Sequence, residues 1–165
     1  MKTLSYRDVL TTSTPHKALT KGGKRAVGRN NQGRITTPHK GGGNKRKYRL
    51  IDFLYNKVDI PAKIETVEYD PNRSAFISLV CYADGERRYV VVPKGLKVGD
   101  KFLVSESAPL TPGNRLPLHK IPVGTFVYNI ELKKNGGAKL VRGAGSYAQV
   151  TAHTDTTTNI KLPSG

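Results

Sequence analysis

The chain has 165 residues, with 28 Lys+Arg against 12 Asp+Glu and a formal net charge of +16 at pH 7. No apolar run approaches the ~20 residues of a membrane span, and the lone Cys81 excludes an internal disulfide and reads as a buried strand residue in a reducing compartment. The charge is concentrated at the front: residues 1–50 hold 13 basic side chains against the single acid Asp8, a net of +12, and residues 51–165 hold 15 against 11, a net of +4.

Met1 to Leu10 lacks both the charged-then-apolar layout of a secretory signal and a long amphipathic stretch, although its acid-poor start leaves an organellar address open. Residues 1–47 read as an extended basic arm that orders on binding, because high charge and low hydrophobicity oppose collapse. Its most informative part, Gly28–Arg49, carries seven Lys/Arg, His39 and five glycines without one carboxylate. A solvated polybasic tail would not need the embedded Thr36-Thr37-Pro38-His39 and triple-glycine patterns.

RNA fits the arm better. Arg29, Arg34, Lys40, Lys45, Arg46, Lys47 and Arg49 are candidate phosphate partners, with His39 as a further RNA contact. Asn30 and Asn31 can hydrogen-bond phosphate, ribose or base edges, and Gly41, Gly42 and Gly43 allow close backbone approach. Tyr48 can stack on a base.

Texture changes at Tyr48, where short alternating runs divided by turns begin. Strands are predicted over Tyr48–Phe53, over Ile60–Tyr69 with Ala62, Ile64 and Thr66 on one face, over Ala75–Tyr82, over Arg87–Val92 and over Lys101–Val104. Asp70-Pro71-Asn72 is a turn and Asp84-Gly85 a hairpin signal. Prolines and glycines leave no room for a helix beyond one turn. Five strands within residues 48–120 suggest a small closed barrel of the oligonucleotide/oligosaccharide-binding (OB) kind.

A second unit is predicted over 121–165. Phe126–Leu132 reads as one alternating strand, Asn135-Gly136-Gly137-Ala138 as a turn, and Val141–Val150 as a stretch whose small residues admit close approach. Asn159–Pro163 starts a last strand, and three strands with a free edge make a poor domain. The unit therefore reads as unfinished within this polypeptide.

Several of these motifs, in order, resemble the ribosomal large-subunit protein two family. They are Gly28–Thr37, His39 with Gly41–Gly43, Tyr48–Phe53, Glu68–Ala75, Asp84–Tyr89, Pro93–Leu96, Pro112–Asn114, Leu116-Pro117, Ile121–Gly124 and Arg142–Tyr147. The resemblance runs from about Gly28 to Gly165 and implies an all-β fold: a basic RNA-binding extension, an OB barrel, then an SH3-like barrel, all on large-subunit rRNA. It further implies roles in assembly, subunit association and the surroundings of the peptidyl-transferase region, with neighbouring ribosomal proteins as partners. The segment before Gly28 is shorter than the bacterial pattern. Family members continue past the position of Gly165 into a long basic arm, so a split protein is expected, with a second polypeptide carrying the C-terminal half. Such splits favour a mitochondrial ribosome over a bacterial or plastid one.

The resemblance makes Arg73, fixed after the Asp-Pro-Asn turn, and Arg142, before the small-residue stretch, RNA contacts. Lys94 lies in a matching motif, Tyr147 can stack on a base, and of Arg87 and Arg88, on opposite strand faces, at most one faces RNA. Nothing suggests an enzyme. The histidines at 16, 39, 119 and 153 are far apart, no phosphate-cradling loop is present, and no cofactor is expected beyond Mg2+ carried by the rRNA itself. A free-standing OB-type single-stranded nucleic-acid-binding protein is the alternative, weakened by the aromatics' core-like positions. A membrane partner is not expected, since no amphipathic basic helix is visible.

Overall fold

The computed structural model describes residues 6, 8–23 and 27–165; residues 1–5 and 7 of the stretch read for a targeting signal, and 24–26 of the arm, lie outside them. Among the described residues the only helices are single 3-10 turns at Lys17–Leu19 and Leu118–Lys120. Strands β1 (Thr20–Lys21) and β2 (Tyr48–Arg49) pair with each other. Strands β3 (Ala62–Glu68), β4 (Ile77–Tyr82), β5 (Arg87–Val91) and β6 (Lys101–Phe102) form an antiparallel sheet in the order β5-β4-β3-β6.

This sheet curls into a half-barrel, and the fold is all-β as the sequence predicts. The strand expected at Tyr48–Phe53 is shorter than predicted: past β2 its backbone pairs with β5 through a single parallel bridge between Ile51 and Tyr89 among the described residues. Both predicted turns form. Tyr82 N–H donates to the Glu86 carbonyl at 2.9 Å across the Asp84-Gly85 turn, where Gly85 has φ +85°. The Asp70 carboxylate accepts from Asn72 N–H at 2.9 Å and from Arg73 Nε at 2.6 Å.

Face assignment along β3 departs from the prediction. The register against β4 slips between Ile64 and Thr66, leaving Glu65 as the extra residue of a β-bulge. The bulge reverses the in–out parity of the rest of the strand, so Val67 rather than Thr66 joins Ala62 and Ile64 in the core. That core, with Tyr55, Val80, Tyr82, Val90, Phe102, Val104 and Ala138, fills the concave side. Each aliphatic side chain there removes apolar surface from water worth about 1.5–3 kcal/mol.

The convex side is also covered, which explains why β4 is buried nearly throughout rather than alternating. Ile77, Leu79 and Tyr89 pack against Leu19 and Ile51. The N-terminal segment is held there by Thr11 N–H to the Val67 carbonyl at 3.0 Å and by His16 N–H to the Tyr89 hydroxyl at 2.7 Å. That hydroxyl donates to the buried Glu68 carboxylate at 2.8 Å. Cys81, on β4, is half-buried rather than buried.

The second unit holds five short strands, not three: β7 (Phe126–Val127), β8 (Ile130–Glu131), β9 (Ala138–Leu140), β10 (Ala148–His153) and β11 (Thr158–Lys161). The single strand predicted over Phe126–Leu132 is broken because Asn129 adopts φ +52° and turns its side chain inward, donating to the buried Tyr55 hydroxyl at 3.1 Å. β8 then pairs with β9, and β10 lies between β7 and β11. The two small sheets flank an open groove of about 660 Å³, lined in part by Ile130, Leu132, Leu140 and Ile160.

Candidate nucleic-acid interface

Residues 29–48 are exposed throughout. Their backbone nonetheless has local order around Asn30, whose side-chain oxygen accepts from Gln32 N–H at 3.0 Å and Arg34 N–H at 2.9 Å. Thr36 and Thr37 N–H both donate to the Gly28 carbonyl. Gly28 has φ +71°, and a Cβ there would overlap the Thr37 carbonyl oxygen, so this position requires glycine. Gly41 and Gly42 are different: an added Cβ would meet no atom of the chain within 4 Å. The fold itself gives no reason for glycine there.

None of Arg29, Arg34, Lys40, Lys45, Arg46 or Lys47 forms an ion pair with a described residue. Asn31, His39 and Tyr48 stand beside them in solvent, His39 with φ +61°. Arg49 alone is buried, at 8% exposure, with one guanidinium nitrogen donating to the Lys47 carbonyl at 2.9 Å.

The end of this segment docks on the Asp70–Arg73 turn. Arg46 donates to the Pro71 carbonyl at 2.8 Å, and the Asn72 side chain donates to the Lys47 carbonyl at 2.9 Å. The turn in turn meets the second unit, where Ala144 N–H donates to Ser74 Oγ at 3.2 Å. Between them lies Phe53, with the Arg73 guanidinium 5.6 Å and the Arg142 guanidinium 4.4 Å from its ring centroid. Both distances suit a cation–π contact. Arg73 and Arg142, picked separately from the sequence, thus share one aromatic ring where the two units meet.

Two other predicted cations, Arg87 and Arg88, have carboxylate partners. Arg87 grips Glu65 through two nitrogens at 2.8 and 3.0 Å, a hydrogen bond that holds the Glu65 carboxyl below its ordinary range and raises Arg87. Arg88 pairs with Glu86 at 2.6 Å and Asp52 at 2.8 Å, raising its own pKa and lowering that of Glu86. Lys57 bridges Asp84 and Glu86. Lys94 is exposed and free of ion pairs with described residues, but lies in the connector after β5, apart from the Phe53 junction in sequence. Tyr147 is 59% exposed and meets Phe126 edge-on.

Sequence reasoning missed Phe53, Asp70, Asn72 and Ser74 as parts of this site. Asp70 and Asn72 had a local signal in the Asp-Pro-Asn turn; Phe53 had none, since its role exists only after two units converge. Among the described residues no group of three or more His, Cys, Asp or Glu side chains is placed to hold a metal ion, and no helix is long and apolar enough to cross a membrane.

Residues 16–104 match a family model described as Ribosomal Proteins L2, RNA binding N-terminal domain. Residues 111–165 match one described as Ribosomal Proteins L2, C-terminal domain. Stretches of both types lie in this one chain, so the expected second polypeptide has no support.

Proposed function

The chain belongs to the ribosomal protein L2 family, and from that premise we propose that its exposed cations bind large-subunit rRNA and that it supports assembly, subunit association and the surroundings of the peptidyl-transferase region. The family's role is structural and RNA-binding, among ribosomal neighbours, and its place is the ribosome. The preference for a mitochondrial ribosome leans on a split and loses its support with it; mass spectrometry of bacterial, plastid and mitochondrial ribosomes assigns the compartment.

One observation carries the reading. Six cations between Arg29 and Lys47 lack carboxylate partners among the described residues, and their segment is docked beside Arg73 and Arg142. Phosphates supply the missing counter-charge. Gly41 and Gly42 have open space where a Cβ would stand, which lets an RNA strand come close. Engagement of about six phosphates gives log K a slope of about −4 to −5 against log salt.

Sedimentation tests the reading directly. Co-migration with large ribosomal subunits after a high-salt wash is expected. Release at moderate salt favours a free-standing single-stranded nucleic-acid-binding protein and overturns it.

A further inference from the structure

The three-stranded sheet of the second unit has two unlike faces. Ala148 and Val150 are buried on one, and Ile160, paired with Val150, shares that side. On the other, Phe126, Gln149 and Lys161 stand in one row across β7, β10 and β11, because Gln149 pairs with Phe126 on one side and Lys161 on the other. Asn159 lies two residues from Lys161 on the same face. Tyr147 joins the row through its ring, 4.9 Å from that of Phe126 at an interplanar angle of 73°.

Phe126 is 63% exposed and Tyr147 59% exposed, in a chain with four phenylalanines in all. A sheet face that needed only solubility would not display two large rings side by side. In the same row and beside it on that face stand two amides, Gln149 and Asn159, and the ammonium of Lys161. The Asn159 and Lys161 side chains make no hydrogen bond or ion pair with a described residue, while Gln149 donates to the Gly124 carbonyl at 3.1 Å and keeps its acceptor oxygen open. The face is continuous with the junction at Phe53: the chain runs from Arg142 through Gly143–Ser146, anchored on Ser74, straight into Tyr147.

We infer that this outer face is a stacking platform for unpaired nucleobases of single-stranded RNA, with Phe126 and Tyr147 supplying the π surfaces. Lys161 neutralises a neighbouring phosphate, and Gln149 and Asn159 meet base edges or ribose hydroxyls. The inference rests on the rRNA-binding reading and adds a second mode to it. The arm binds phosphate charge regardless of base stacking, whereas this face needs bases free of a helix. A protein partner would be served by the rings alone, and would not call for the unpaired ammonium beside them.

The test uses the full 165-residue chain with a single-stranded RNA oligonucleotide carrying 2-aminopurine, and ultraviolet crosslinking of the unmodified chain to large-subunit rRNA. Quenching of the 2-aminopurine and nucleotide adducts on Phe126 or Tyr147 are expected. Phe126→Leu and Tyr147→Leu should each weaken oligonucleotide binding roughly tenfold with an unchanged salt slope, and Phe126→Tyr should retain it. Variants that bind like the parent chain, or adducts confined to the arm, overturn the platform and leave the rRNA reading standing. A parent chain that binds no RNA overturns both. Loss of a ribosomal protein contact with RNA affinity intact makes the face a protein-docking surface and also overturns the inference.

Discussion

The cations of residues 29–47 and the three at the hairpin end of the curled sheet, Lys57, Arg87 and Arg88, sit in opposite surroundings. The first set meets no carboxylate among the described residues, whereas Lys57, Arg87 and Arg88 each touch one or two. Lys and Arg counts alone do not separate the two groups. Acid placement does: Asp52, Glu65, Asp84 and Glu86 all fall where the folded sheet brings them to Lys57, Arg87 and Arg88, and residues 29–47 have none. Arg73 stands between the classes, fixed by Asp70 through Nε while its guanidinium lies against Phe53.

The sharpest way to break this division is to neutralise the arm. Replacing Lys40, Lys45, Arg46 and Lys47 together by alanine should lower rRNA affinity by on the order of a hundredfold to a thousandfold and flatten the salt slope by about 3 units. The thermal midpoint should fall only slightly, through the lost Arg46 hydrogen bond to the Pro71 carbonyl. A normal slope from a filter-binding titration would mean that the arm is not the anchor.

Asp70→Ala comes next, because loss of this buried carboxylate leaves the Asn72 N–H and the Arg73 Nε without their acceptor. Denaturant titration should show a loss of about 2–3 kcal/mol, and Arg73 should become mobile. Phe53→Leu keeps apolar bulk but removes the ring under two guanidinium groups. It should weaken RNA binding about tenfold while changing stability by about 1 kcal/mol, and a cycle with Arg142→Ala should show coupling.

Alkaline pH tests both faces of the sheet. Burial pushes the Tyr89 and Tyr82 hydroxyls up from 10.0 to about 12. With the folded values raised, the unfolded chain releases these protons first, so stability is intact below pH 10 and falls as pH rises toward 12. Melting curves for the parent chain and Tyr89→Phe should differ in that window and agree in their pH slope below it. The smallest expected effect is that of Arg87→Ala, an exposed paired cation whose loss should leave both the rRNA salt slope and the denaturation midpoint unmoved. An altered salt slope there would erase the boundary between paired and unpaired cations.

What could be read in the sequence was local. Asp84-Gly85 and Asp70-Pro71-Asn72 carry their turn chemistry within three residues, and both turns form as predicted. The errors have long-range causes. Phe126–Leu132 alternates cleanly, yet Asn129 breaks it for a hydrogen bond to Tyr55, 74 residues away. The Glu65 bulge depends on its register against β4, and Arg49 is buried by segments that its own neighbours do not specify. The site divides in the same way: the arm's charge was visible in composition, but the ring shared by Arg73 and Arg142 was not, because that contact spans two units.

The N-terminal segment that covers the convex side of the sheet imposes an order on synthesis. His16 waits for Tyr89, 73 residues later, and Thr11 for Val67, 56 residues later. A chain made from its N-terminus exposes the segment and the cationic stretch behind it long before their docking surface exists. Closing so long a loop costs little more entropy than a shorter one, but it cannot finish until Tyr89 has been made. The cationic stretch therefore emerges well ahead of the surface on which the N-terminal segment docks, and the His16 contact can close only after β5 has been made.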